Sequence, residues 1–332
     1  MVKIVKHMLT DAHHRIIDYV RLAVTDRCNL RCTYCMPENM HFVPSQALLS
    51  DSEILRLLQI LAAAGISKVR ITGGEPFLRP GLLALLEKIT AIPGIQEIAI
   101  TTNGVLTAPF IPALRALGIT HINLSLDTLQ AARFQQITRR NRFTAVMDTL
   151  HQLLQHELHT KINVVVMEGV NTDELLDFAA LTREQPVSVR FIEEMPFNGQ
   201  GHTFSGINWH YQRILEHIGN RYPLHKIPDA PHATALNYHI PGHRGNIGVI
   251  PAYSRTFCGT CNRIRISATG SMRTCLYGKD ELHIKPLLQD TSNSALLLSA
   301  IEAAIQVRYA NGFEAAQAYQ EENRESMSVI GG

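Results

Sequence analysis

Between Tyr19 and Phe191 the sequence alternates short runs rich in Val and Ile with longer helical patterns, an alternation that few folds accommodate. The runs are Tyr19–Val24, Lys68–Thr72, Glu97–Thr101, His121–Leu126, Lys161–Val166 and Val187–Phe191. Each has the length and composition of a buried strand. Ser50-Asp51-Ser52-Glu53 is a capping signal ahead of Ile54–Ala64, Pro80-Gly81 opens Leu82–Thr90, and Asn171-Thr172-Asp173-Glu174 opens Leu175–Leu181. One strand and one helix per roughly 30 residues is what a parallel βα array requires. Six such units predict an α/β fold, a partial (βα)6 barrel of the TIM type, where a closed barrel has eight.

Beyond about residue 196 the alternation stops. Pro223, Pro228, Pro231, Pro241 and Pro251 break up a region of short strands, and a helical stretch follows over Ala295–Ala310. The chain therefore divides into a barrel over residues 1–195 and an extension over 196–332 that closes the open side.

In parallel βα folds, sites form at the carboxyl ends of the strands. Cys28 follows the first run, Gly73-Gly74-Glu75-Pro76 the second and Thr101-Thr102-Asn103-Gly104 the third; Ser125-Leu126-Asp127 ends the fourth, and Glu193-Glu194-Met195 follows the sixth. All of them fall on one rim. Cys28, Cys32 and Cys35 are spaced C-x3-C-x2-C. Three thiolates on one loop can hold three irons of a [4Fe–4S] cluster and leave the fourth iron open. A zinc site wants four ligands in another spacing, with His41 the nearest other candidate, and a disulfide framework suits a short secreted chain. The Met1–His7 segment has no apolar core of export length.

The remaining cysteines, Cys258, Cys261 and Cys275, form a second triplet, C-x2-C-x13-C. A zinc knuckle completed by His283 is one reading, and a second cluster with a vacant iron is the other. Arg263 and Arg265 follow with strand alternation, so both point to one face.

With Tyr34 before Cys35, the first loop resembles that of the radical S-adenosylmethionine (SAM) enzymes, in which the open iron chelates SAM. With Phe257-Cys258-x-x-Cys261-Asn262-Arg263-x-Arg265, Gly270, Cys275-Leu276 and a chain ending Ile330-Gly331-Gly332, nearly the whole chain resembles the GTP 3′,8-cyclases of molybdenum cofactor biosynthesis. The resemblance implies two [4Fe–4S] clusters and SAM as cofactors, with Tyr34, Gly74, Ser125 and Met195 touching SAM. It places Arg21, Arg70, Thr101, Lys161, Arg190, Arg263 and Arg265 around GTP. Arg263, Arg265 and the terminal Gly331 and Gly332 would act in catalysis. A 5′-deoxyadenosyl radical would take hydrogen from C3′ of GTP, and the ribose radical would close on C8. An external one-electron reductant and a downstream cyclic pyranopterin monophosphate synthase are the implied partners, and the chain would be a homodimer or a monomer. Ile137-Thr138-Arg139-Arg140-Asn141 departs from many relatives and is expected on a surface loop without catalytic bearing.

Other features agree with a nucleotide held by side chains. The sequence has no G-x-x-x-x-G-K-[ST], and no G-x-G-x-x-G after a strand. Phosphate would then fall to arginine forks and lysine. Arg21, Arg70, Lys161 and Arg190 lie in barrel strands, where burial demands an anion, either a ligand or a carboxylate such as Glu75 or Glu193. A net charge of +2 shows no global field for nucleic acid, and Leu82–Leu86 and Ala295–Ile305 are too short for a membrane span. Iron-ligating thiols imply a reducing compartment, the cytoplasm. The other readings of the chain are a radical SAM peptide-modifying enzyme and a zinc-stabilised binding module without activity.

Overall fold

A computed structural model describes residues 8–197, 207–290, 293–319 and 326–330. The strands are β1 Tyr19–Ala23, β2 Lys68–Thr72, β3 Glu97–Thr102, β4 His121–Ser125, β5 His159–Val166, β6 Ser188–Glu193, β7 His225–Lys226, β8 Leu236–His239, β9 Asn246–Ile250, β10 Arg263–Ile266, β11 Ser271–Arg273 and β12 Leu282–His283. The helices are α1 Asp51–Ala63, α2 Leu82–Thr90, α3 Ile111–Ala116, α4 Ala131–Thr138, α5 Phe143–Gln155, α6 Leu175–Glu184, α7 Tyr211–Gly219, α8 Lys285–Gln289, α9 Ser294–Gln306, α10 Gly312–Ala318 and α11 Met327–Ile330. All six expected strands form, within two residues of the expected bounds at each end. α1 starts at the expected box: Ser50 accepts from Glu53 N while the Glu53 carboxylate accepts from Ser50 N.

The twelve strands make one sheet in the order β12-β11-β10-β1-β2-β3-β4-β5-β6-β9-β8-β7. β10 pairs in parallel with β1, and β9 in parallel with β6. The C-terminal region thus adds one parallel strand to each edge of the six-unit array. Among the described residues the two outer strands, β12 and β7, are not paired to each other, so the barrel is partial. Loops of the C-terminal region, among them those over residues 230–235 and 257–262, line the cavity together with the barrel strands.

The expected apolar runs turn out to be two-faced. Val20, Leu22, Val69, Ile71, Ile122, Leu124, Ile162, Val164, Val189 and Phe191 point outward and are fully buried beneath the helices. Alternate residues, Tyr19, Arg21, Lys68, Arg70, Thr101, Asn123, Lys161, Asn163 and Arg190, point inward onto a cavity of about 720 Å³. A closed barrel fills this space with branched apolar side chains. Here it is polar and open to a ligand. No helix among the described residues is long and apolar enough to cross a membrane.

Candidate active site

β1 runs into the first cysteine loop through Val24, whose N–H is bonded to Thr72 O. Within the loop Cys35 N and Met36 N both donate to Cys32 O, forming a tight turn that carries the last two cysteines. The Cys28 sulfur accepts from Leu30 N at 3.4 Å and from Asn103 Nδ2 at 3.5 Å. Gly73 and Gly74 line the cavity and brace this loop from behind. A Cβ on Gly73 would stand 2.4 Å from Thr25 O, and one on Gly74 2.3 Å from Arg27 O. Both neighbours are backbone, so no other residue fits without moving the loop's root. Glu75 is fully buried and accepts from Thr102 Oγ1, Asn103 N and Phe77 N. Burial pushes its carboxyl up to about 7 in spite of these donors.

The Ile137–Asn141 stretch corrects the sequence expectation. It is part of the loop's support: Arg31 N donates to Thr138 O and Thr33 N to Ile137 O, each at 2.9 Å. Arg139, at φ 55°, turns the chain at the end of α4 and donates from Nη1 to Arg31 O.

The second triplet sits at the other end of the strands. Cys258 and Cys261 precede β10, which runs parallel to β1, so they lie at the amino end. Cys275 follows β11, which is antiparallel to β10 and returns to the same end. Arg263 is level with Tyr19, and β1 rises from there to its carboxyl end, close to the first cysteine loop. At about 3.3 Å per residue, the five steps from Tyr19 to Val24 span roughly 16 Å. One cavity connects the two sites, and all six cysteines line it.

Between them the register assembles the cations. Arg265 on β10, Arg21 on β1 and Arg70 on β2 are direct partners in a row across three parallel strands. Arg263, Tyr19 and Lys68 form the row next to it. Burial, then Arg265 and Arg70, hold Arg21 well below the usual arginine range. Burial and Arg263 bring Arg265 down to about 10, and burial with Arg190 and Arg70 brings Lys161 to about 8. Arg70 donates from Nε to Tyr19 OH at 2.5 Å and from Nη1 to Thr101 Oγ1 at 3.5 Å. Glu75 and Glu193, the carboxylates considered as neutralising partners, are directed elsewhere. Glu193 accepts from Tyr211 N, Ser254 N and Ser254 Oγ.

The cavity therefore contains every expected site residue that the structure describes: Tyr34, Gly74, Ser125 and Met195 near the first thiol loop, and Arg21, Arg70, Thr101, Lys161, Arg190, Arg263 and Arg265. Gly331 and Gly332 lie outside the described residues. The chain just before them is anchored, with Ile330 in a cluster with Phe197, Tyr277 and Ala315, and Ser326 Oγ donating to Cys35 O at 2.7 Å. Sequence reasoning missed Tyr19, Lys68, Asn123 and Asn163. Their signal was present in the strand alternation, which puts them on the face of Arg21 and Lys161.

The donor chemistry fits clusters and a polar ligand. Among the described residues no three His, Cys, Asp or Glu side chains converge on a single-ion site. A cubane takes each thiolate at a separate corner, whereas zinc draws its ligands to one point. N–H groups aimed at Cys28 and Cys261 sulfurs suit thiolate ligands. Buried atoms on the cavity wall, Arg190 Nε, Asn123 Oδ1, Asn163 Oδ1 and Thr72 Oγ1, have no hydrogen-bond partner among the described residues. Such atoms are costly unless a polar ligand or ordered water meets them.

A family model described as the radical SAM superfamily matches residues 22–182, and one described as molybdenum cofactor synthesis C matches residues 187–313. GTP 3′,8-cyclase of Chlorobaculum tepidum is 39% identical over 327 residues, which cover 98% of this chain and 97% of that protein. The chain belongs to the GTP 3′,8-cyclase family. Human molybdenum cofactor biosynthesis protein 1 is 42% identical over 300 residues, 90% of this chain and 47% of that protein. This chain thus spans about half the length of that relative and of its bovine and mouse counterparts. Among solved structures, Streptococcus suis SuiB bound to precursor peptide SuiA has a TM-score of 0.61 at 15% identity, over 96% of this chain and 77% of that one. That likeness is one of fold. With the radical SAM family come SAM and a [4Fe–4S] cluster as cofactors.

Proposed function

We propose that this chain converts GTP to (8S)-3′,8-cyclo-7,8-dihydroguanosine 5′-triphosphate, the first step of molybdenum cofactor biosynthesis. The observation that carries this reading is the row Arg265, Arg21 and Arg70, set inside one cavity between two cysteine triplets. A peptide substrate has no need of such a cationic interior, whereas a triphosphate does.

Cys28, Cys32 and Cys35 would hold the first cluster, and Cys258, Cys261 and Cys275 a second. When bound, the first cluster with SAM supplies one-electron cleavage of the sulfonium and hence a hydrogen-abstracting radical. The chain's own residues then bind, orient and exclude water. Tyr34, Gly74, Ser125 and Met195 surround SAM; Tyr34 OH donates to Asp127 Oδ2 at 2.8 Å, which fixes its ring beside the thiols. Arg70, Lys161 and Arg190 face the phosphates, with Thr101 beside them. Arg21, Arg263 and Arg265 continue this cationic lining toward the second thiol site, where a cluster held by Cys258, Cys261 and Cys275 would offer a further contact to the substrate. That arrangement directs the ribose toward SAM.

Residues 1–195 serve as the barrel that carries the first cluster, SAM and part of the GTP site, and residues 196–332 carry the second thiol site and complete the substrate site. An external one-electron reductant feeds the first cluster, and a cyclic pyranopterin monophosphate synthase takes the product. The thiol ligands call for a reducing compartment such as the cytoplasm, and the chain acts as a monomer or a homodimer. Gly331 and Gly332 are assigned a part in catalysis on the substrate. Deleting both should leave iron content and SAM cleavage intact while the cyclised product falls to trace levels.

Anaerobic incubation with SAM, dithionite and GTP tests the function. Formation of 5′-deoxyadenosine with matching GTP loss and cyclised product supports it. About eight irons per chain and no zinc supports two clusters. SAM cleavage that never consumes GTP returns the peptide-modifying alternative, and zinc without iron returns the binding module.

A further inference from the structure

Behind the second cysteine site lies a buried ion network on which no sequence motif drew. Arg308, 5% exposed, follows the end of α9. The expected helix over Ala295–Ala310 stops at Gln306, and the chain turns so that Arg308 reaches the cysteine loop. Its Nη2 donates to Cys261 Sγ at 2.8 Å and its Nη1 to Cys261 O at 3.0 Å. Arg263 Nη2 reaches the same sulfur at 3.4 Å.

Asp11 holds this arginine in place. Its side chain is fully buried, with Oδ2 at 2.6 Å from Arg15 Nε and 3.8 Å from Arg308 Nη1. Its Oδ1 accepts from His13 N and Arg15 N. Arg15 donates onward to the carbonyls of Cys258, Tyr309 and Ala310 at 3.1, 2.8 and 2.6 Å. One buried carboxylate therefore serves two buried guanidinium groups and leaves a local excess of one positive charge. Burial of that charge is costly unless a second anion meets it. The Cys261 sulfur, as a cluster ligand, is that anion.

We propose that Arg308 is a positioning residue of the C-terminal cysteine site. It fixes the Cys261 sulfur by a charge-assisted N–H···S bond and makes the cluster held there easier to reduce. Asp11 and Arg15 lock its geometry. A positive charge and hydrogen bonds at a ligating sulfur favour the form carrying the extra electron. The proposal rests on the reading that Cys258, Cys261 and Cys275 hold a cluster.

Reconstituted wild type, Arg308→Gln, Arg308→Lys and Asp11→Asn should be compared by iron content and by dithionite titration followed by electron paramagnetic resonance. The N-terminal cluster in each molecule is the internal reference. Arg308→Gln should shift the C-terminal cluster to a more negative potential and alter its spectrum, with the N-terminal signal unmoved. Arg308→Lys should restore most of the potential. Asp11→Asn loosens the hold on Arg308 and should shift the potential in the same direction by less, again with the N-terminal signal unmoved. Selective loss of the C-terminal iron in Arg308→Gln also supports positioning, and the lysine and asparagine variants then decide the electronic effect, as they do if the glutamine variant does not fold. About eight irons in wild type, with the C-terminal signal unchanged across the folded variants, overturns the proposal alone. About four irons in wild type overturns the two-cluster reading beneath it.

Discussion

Cys275→Ala should separate SAM cleavage from substrate conversion. The variant is expected to form 5′-deoxyadenosine slowly and without coupling, and to make no detectable cyclised product. Cys275 reaches its site from β11, whereas Cys258 and Cys261 arrive from the turn before β10, so two strands must supply one donor set. Removing the lone contribution of β11 leaves two thiols, too few to hold three corners of a cubane. The first loop is about 16 Å along the strand from this change, by the rise of five extended residues, and its support from Gly73, Gly74 and Asn103 is separate. Cys28→Ala should do the reverse of sparing SAM: cleavage itself disappears. Chromatography of both variants for 5′-deoxyadenosine and for cyclised nucleotide checks the pair. Normal GTP turnover by Cys275→Ala would remove the second site from the substrate's path.

Arg265→Ala and Arg70→Ala should each weaken GTP and hardly touch SAM. Loss of one charge-assisted contact typically costs about 1.5–3 kcal/mol, roughly ten- to more than a hundredfold in affinity. The two residues flank Arg21 in the register. GTP should stabilise either variant against heat less than it does the wild type. Equilibrium binding of both ligands decides between roles, since equal weakening of SAM and GTP would indicate general damage to the cavity. A pH series adds a second check. Lys161 is held down to about 8 by burial, with Arg190 and Arg70 adding repulsion. It is cationic below that value and neutral above it, so in the free protein GTP affinity should fall as pH rises through about 8. Lys161→Met should flatten that part of the profile.

Much of this was legible in the primary structure. Strand positions emerged because the outward residues of each run, such as Val20 and Leu22 or Val69 and Ile71, must be buried beneath helices. The cysteine spacings and the Arg263–Arg265 alternation are local, and both triplets were read from them. β9 and β10 were not read as parallel barrel strands. Asn246–Ile250 and Arg263–Ile266 are short, and turn-rich segments isolate them from any helical pattern. The Ile137–Asn141 turn gave no sign of its attachment to the cysteine loop, because its bonds to Arg31 and Thr33 cross more than a hundred residues. Arg308 was silent for another reason: a single arginine after an apolar helix carries no motif.

By itself the sequence determined the chemistry available: two sets of three thiols, a parallel βα array with its loops on one rim, and cations on alternate strand positions. These follow from composition and from the periods of two and 3.6 residues, which are properties of a short stretch of chain. Tertiary structure alone decided that Arg265, Arg21 and Arg70 stand side by side, and that the thiol sets lie at opposite ends of one cavity. It also decided that Asp11, Arg15 and Arg308 meet behind Cys261. Alternation says which face a side chain takes, but register between strands distant in sequence says which side chains become neighbours, and that is set by long-range pairing and packing of the whole sheet.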